Sequence, residues 1–112
     1  MLARANRIVR ADDYRNTVRR GRKSGTAHSV VYVRRRRDDD AIRFGFIVAK
    51  TVGNAVVRNT VRRRLKGVCH ELMPNLSPGV DIVIRALPGS PDVAWSTLLT
   101  DISEVVDRGV RA

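Results

Sequence analysis

The residues whose types and spacing could do chemistry are a basic set at helical intervals: Arg58, Asn59, Arg62, Arg63 and Lys66, preceded by Lys50. Arg58/Arg62 and Arg62/Lys66 are four apart, so a helix through them stacks like charges one turn above another. In an isolated helix such stacking costs about 0.2–0.5 kcal/mol per pair. An anionic partner offsets that cost. Arginine forks grip phosphate bidentately and stack on bases, which favours nucleic acid over a lipid surface.

Other chemistries are poorly supplied. His28, His70 and Cys69 do not reach the roughly four ligands at suitable spacing that a zinc site needs. No Ser/His/Asp or Cys/His grouping can be argued from the sequence. Acidic residues cluster only at Asp12–Asp13 and Asp38–Asp40, which read as a helix start and a charged turn. The segment KTVGNAV has one glycine and lacks the spacing of a phosphate-binding loop. Nothing points to protein-borne catalysis, and the pattern is that of a binding module in which phosphate contacts give affinity.

The elements that position the basic set follow from periodicity. At about 100° per residue, Val57, Val61, Leu65, Val68 and Leu72 fall within an arc of roughly 80°. They form a core-facing stripe opposite the basic face. Before this long helix, Ala27–Arg35 and Ala41–Lys50 read as strands, the second antiparallel to the first across a solvated hairpin tip of four arginines and three aspartates. Gly45 at mid-strand implies a close approach by a helix or ligand. Asp12 or Asp13 is expected to cap a short helix that ends at Gly21. Tyr14 on this helix is either a core aromatic or a stacking platform. A short extra strand is possible near residues 22–26. After PNLSPG, Val80–Leu87 is a third strong strand. Asp92 is expected to cap a last helix over Val93–Arg108, with Gly109 closing it and Trp95 packing inside. The order predicts an α+β fold with helices on a small mixed sheet.

The totals agree. The chain has 112 residues, 22 of them Lys or Arg against 11 Asp or Glu, for a net charge of +11. Residues 1–73 carry 19 basic and 6 acidic groups, a net of +13, and residues 74–112 a net of −2. The binding surface therefore lies in the first two-thirds. Residues 1–10 form a basic arm, flexible in this reading, that Ile8 and Val9 tack to the core. The length predicts one domain over residues 1–112. A lone Cys69 excludes an intrachain disulfide and reads as buried filler in a reducing compartment. No apolar run approaches the ~18 residues of a membrane span, so the expected setting is the cytoplasm.

The block Lys50, Gly53, Asn54, Ala55, Val56, Arg58, Asn59, Arg62, Arg63 and Lys66 resembles the signature K-x-x-G-N-A-V-x-R-N-x-x-K/R-R of the bacterial ribonuclease P protein component family. The flanks fit from about Arg7 to Val106: the D-D-Y helix, the R-F-G-F-I-V strand, the D-I-V-I-R strand and the closing helix. The resemblance implies a two-layer αβββαβα sandwich with a left-handed crossover between parallel strands. It implies a basic subunit of a ribonucleoprotein that hydrolyses one phosphodiester to remove the 5′ leader of precursor tRNA. The catalytic strand is then RNA, with Mg²⁺ held mainly by RNA phosphates. Partners are the catalytic RNA and precursor tRNA, with no membrane or small-molecule substrate, and the free protein is monomeric. Lys50, Arg58, Asn59, Arg62, Arg63 and Lys66 would contact the catalytic RNA. Tyr14, Val18, Tyr32, Arg43 and Arg85 would line the cleft for the leader. Thr60 stands where the family often has a basic residue, and Arg64 is the candidate to replace it. The alternative is a structural RNA-binding protein, such as a ribosomal protein or RNA chaperone. A DNA binder with this helix in the major groove is a weaker third reading, since base-reading partners are few.

Overall fold

The computed structural model describes residues 2–111. Its elements are α1 (Ala11–Arg20), β1 (Arg22–Gly25), β2 (Ser29–Arg35), β3 (Arg43–Ile47), α2 (Ala55–Leu72), β4 (Val80–Ala86) and α3 (Trp95–Arg111). The four strands lie in the order β1-β2-β4-β3. β4 is antiparallel to β2 and parallel to β3, so β3–α2–β4 is a crossover. The α+β expectation with a small mixed sheet holds. The hairpin does not: β4 inserts between β2 and β3, which run in opposite directions without touching as neighbours. β4 wins the central place because six of its seven residues are buried.

Two apolar clusters divide the sheet faces. The large one joins Val31, Val33, Phe44, Ile82 and Ile84 of the sheet to Val61, Leu65 and Val68 of α2 and to Leu98, Ile102, Val105 and Val106 of α3. The predicted α2 stripe is thus its core face, with Val57 and Leu72 partly buried at the ends. Cys69 is fully enclosed there, and burial pushes its thiol up. The small cluster, on the other face, buries only Ile8, Tyr32 and Val83, with Tyr14 and Val18 of α1 packed on it. Residues before α1 run beside the outer edge of β3, where the Ile8 N–H donates to the Phe44 carbonyl at 2.8 Å. Leu2 is buried in the large cluster, and Val9 is exposed.

Several helix ends differ from expectation. Arg10, not an aspartate, precedes α1, and Asp12 and Asp13 sit in its first turn, where they still favour the helix dipole. Asp92 belongs to a 3₁₀ turn, and α3 starts at Trp95, with the Thr97 and Leu98 N–H groups donating to the Ala94 carbonyl. Gly109 does not close α3. It lies within it, where a Cβ would meet Val33 Cγ2 at 2.8 Å, so glycine there lets α3 press on β2.

The charged turn between β2 and β3 is not simply solvated. Asp81 of β4 is fully buried, and both Arg36 and Arg43 donate to it. Arg43 is bidentate, Nε to Oδ1 at 2.8 Å and Nη2 to Oδ2 at 2.7 Å. Arg36, its side chain only 7% exposed, also donates to the Val80, Asp40 and Ala41 carbonyls and to Asp38. That bond, with the Asp40 N–H, holds the Asp38 carboxyl below its usual range. Gly79 completes the corner with φ +80°, and a Cβ there would meet the Asp38 carbonyl oxygen at 2.6 Å. No helix among the described residues is long and apolar enough to cross a membrane.

Removing one partner of a buried, hydrogen-bonded charge set leaves the others uncompensated, at about 3–5 kcal/mol. Asp81→Ala is therefore expected to lose about that much stability in urea denaturation. Asp12→Ala, which breaks only the exposed Asp12–Arg15 pair, should lose less than about 1 kcal/mol.

Candidate nucleic-acid interface

The start of α2 explains part of the signature without any ligand. The Asn54 side chain accepts from the Val57 N–H at 2.9 Å and so caps the helix. A Cβ on Gly53 would meet Val57 Cγ1 at 2.6 Å, so glycine is needed for the chain to enter the helix here. Gly53 and Asn54 are therefore helix-starting residues, and the charged members of the block are free for other work.

Those charged members largely come together. Asn59, Arg62, Arg63 and Lys66 line a recess of about 480 Å³ with Gly67. Arg62 donates to Asn59 at 3.1 Å, and among the described residues no carboxylate pairs with Arg62, Arg63 or Lys66. Arg58 lies half-buried beside them, its Nε enclosed without an acceptor. Lys50 is exposed in the 3₁₀ turn Lys50–Val52 and does not line the recess. Arg64, the candidate to replace a basic residue at Thr60, is turned inward. Its guanidinium donates to the Pro91 and Val93 carbonyls and ties α2 to the turn before α3. Trp95 rests against α2 at Gly67 and stays partly exposed.

The cleft residues divide. Tyr14, Val18 and Arg85 line a hollow of about 260 Å³ between α1 and the sheet. Arg15, Arg19 and Ile47 complete it. These three were missed as site residues, although Arg15 and Arg19 are four apart on the helix that carries Tyr14. Tyr32 is only 3% exposed and does not line the hollow; it is buried in the small cluster on which Tyr14 and Val18 pack, with the Arg85 guanidinium 5.5 Å from its ring centroid. Arg43 is outside the hollow. Besides its bond to Asp81, it pairs with Asp13 of α1 at 3.3 Å, and Asp81 holds its guanidinium above the ordinary value.

Tyr14 is doubly fixed. Its hydroxyl accepts from the Phe46 N–H at 3.2 Å, on the outer edge of β3. Its ring lies over Gly45, where a Cβ would meet Tyr14 Cε1 at 2.5 Å. The close approach expected at Gly45 is therefore this ring. One face of Tyr14 packs inward while the residue still borders the hollow.

Among the described residues, no three His, Cys, Asp or Glu side chains gather where they could hold a metal ion.

A family model described as Ribonuclease P matches residues 2–109. The ribonuclease P protein component of Clavibacter michiganensis subsp. michiganensis is 51% identical over 111 residues, covering 99% of this chain and 98% of its own. That of Beutenbergia cavernae is 41% identical over 113 residues, covering 100% and 95%. The RNase P protein of Staphylococcus aureus shares the fold, with a TM-score of 0.82 at 24% identity over 93% of this chain and 94% of that one. The RNase P protein of Thermotoga maritima does so with a TM-score of 0.80 at 21% identity, over 91% and 96%. The family match does not favour a ribosomal protein or RNA chaperone. A capped α2 whose basic face no described carboxylate pairs, a fold shared with solved relatives, a family model over residues 2–109 and 51% identity along nearly the whole of a curated relative agree: the chain belongs to the bacterial ribonuclease P protein component family.

Proposed function

We propose that this chain, as the protein subunit of ribonuclease P, docks on the catalytic RNA through the outer face of α2 and holds the 5′ leader of precursor tRNA in the hollow beside α1. The observation that carries the first part is the recess of Asn59, Arg62, Arg63 and Lys66, whose cations no carboxylate of the described chain compensates. Arg58 and Lys50 extend the same surface toward the helix start. The second part rests on the mixed lining of the hollow: Tyr14, Val18 and Ile47 suit a base, and Arg15, Arg19 and Arg85 suit its phosphates. In this proposal Tyr32 supports Arg85 from below, and Arg43 positions α1.

The chemistry, endonucleolytic hydrolysis at the leader junction, belongs to the RNA. Mg²⁺ is held there mainly by RNA phosphates, and the protein promotes its binding by fixing the RNA around it. The free protein is monomeric, and the assembly works in the cytoplasm.

Two outcomes test this. Arg62→Ala/Arg63→Ala is expected to weaken binding to the catalytic RNA by at least tenfold at moderate salt, with little change in urea stability. Unchanged affinity places the RNA contact elsewhere. Separately, base–aromatic stacking is worth about 1–3 kcal/mol. Tyr14→Ala should therefore weaken holoenzyme binding of precursor tRNA about tenfold while mature tRNA changes little. Tyr14→Phe keeps the ring and should keep the preference for precursor. It leaves the Phe46 N–H without its acceptor, a loss of about 1 kcal/mol in stability. Equal loss for the two tRNAs with Tyr14→Ala confines Tyr14 to packing.

A further inference from the structure

A second basic concavity lies away from both surfaces just described. Arg20, Arg22, Arg34, Arg35 and Arg37 border a groove of about 730 Å³. They come from the end of α1, the start of β1, the end of β2 and the turn beyond it. None of the five has a carboxylate partner among the described residues. Asp13 and Asp38 also border the groove, but their carboxylates are taken by Arg43 and Arg36. The two carboxylates that border the groove are thus spent on structural arginines, and none bordering it is left for the five outward ones.

The groove occupies one end of the sheet. Arg34 and Arg35 are in register with Asp81 and Val80, where β4 begins. The leader hollow is at the other end, where Ile47 is in register with Arg85. Four residues of β4 at ~3.3 Å each separate the two by roughly 13 Å. The groove and the recess on α2 have no lining residue in common.

We infer that this groove is a second docking site for the phosphate backbone of the catalytic RNA. The inference rests on the family assignment, which supplies the RNA partner, but not on the role proposed for α2. Five arginines crowded into one concavity repel one another, and only a lasting polyanion relieves that throughout the life of the complex. Substrate leaves at each turnover, whereas the RNA subunit stays. Arginine in place of lysine suits bidentate phosphate contacts from several directions. The resulting clamp holds the RNA both at this groove and at the outer face of α2.

The test uses full-length protein and its catalytic RNA, with affinity measured across a salt series. Each phosphate contact contributes about 0.9 to the slope of log K against log salt on a duplex and about 0.7 on a single strand. Arg20→Gln/Arg22→Gln/Arg35→Gln is expected to flatten that slope by about 2–3 and to weaken binding at least tenfold at low salt. The matching triple lysine variant should retain most of the slope. Circular dichroism and urea denaturation confirm that both variants fold, and a single Arg35→Gln, expected to lower the slope by about 0.7–0.9, serves if the triple does not. An unchanged slope and an affinity within twofold overturn the inference. So does a defect confined to precursor tRNA binding by preassembled holoenzyme, which assigns the groove to substrate. Arg62→Ala/Arg63→Ala measured alongside separates the readings: a loss there with none in the groove variant removes the groove and keeps α2, and the reverse keeps the groove and removes α2.

Discussion

The structure depends on one buried carboxylate. Asp81 sits in the central strand β4, out of contact with water, and is tolerable only because Arg36 and Arg43 supply its hydrogen bonds. Arg36 comes from the turn after β2, and Arg43 opens β3. The carboxylate therefore joins β2, β4 and β3 at one end of the sheet. Arg43 then reaches Asp13 and carries the connection on to α1. Such a set gives little net stability over an apolar replacement of the same shape, but breaking it is costly. What it supplies here is geometry: the same group ties β2, β3 and β4 together at one end of the sheet and, through Arg43, fixes the position of α1.

That geometry matters because α1 is weakly held by apolar contacts. The cluster beneath it buries three residues, whereas the cluster under α2 and α3 is several times larger. The polar ties of Asp13 to Arg43 and of the Phe46 N–H to Tyr14 make up part of the difference. A lightly packed helix held by a few directed bonds leaves an open hollow at its flank, which a tightly packed one would fill. The two faces of the sheet thus have different tasks. One carries the main core and presents α2 outward, and the other keeps space beside α1.

The long helix was legible from spacing alone, because its apolar stripe and basic face have the same period. The strands were also legible, as β-branched runs between turn residues. Their order was not. A charged turn between two adjacent runs reads as a hairpin, and nothing local shows that a strand some forty residues later will separate them. Asp81 was visible as a lone acid in the apolar run VDIVIRAL, but its partners lie 45 and 38 residues away, so no short-range pattern joins them. Tyr14 and Tyr32 look alike in sequence, and only tertiary packing makes one a wall of the hollow and the other a buried member of the cluster beneath α1. Gly109 sat where a helix terminator is expected, yet its lack of a side chain serves contact with Val33. The signature block was informative about family while mixing two kinds of residue, helix-starting Gly53 and Asn54 with outward cations.

The central claim is that this protein works on precursor tRNA by organising an RNA that does the chemistry. Reconstitution with the candidate catalytic RNA tests it most directly, measuring 5′-leader removal at low Mg²⁺ with and without the protein. The account predicts little cleavage by the RNA alone and efficient cleavage at the mature 5′ end once the protein is added, with the difference closing as Mg²⁺ is raised. Equal cleavage with and without protein at every Mg²⁺ concentration would contradict it.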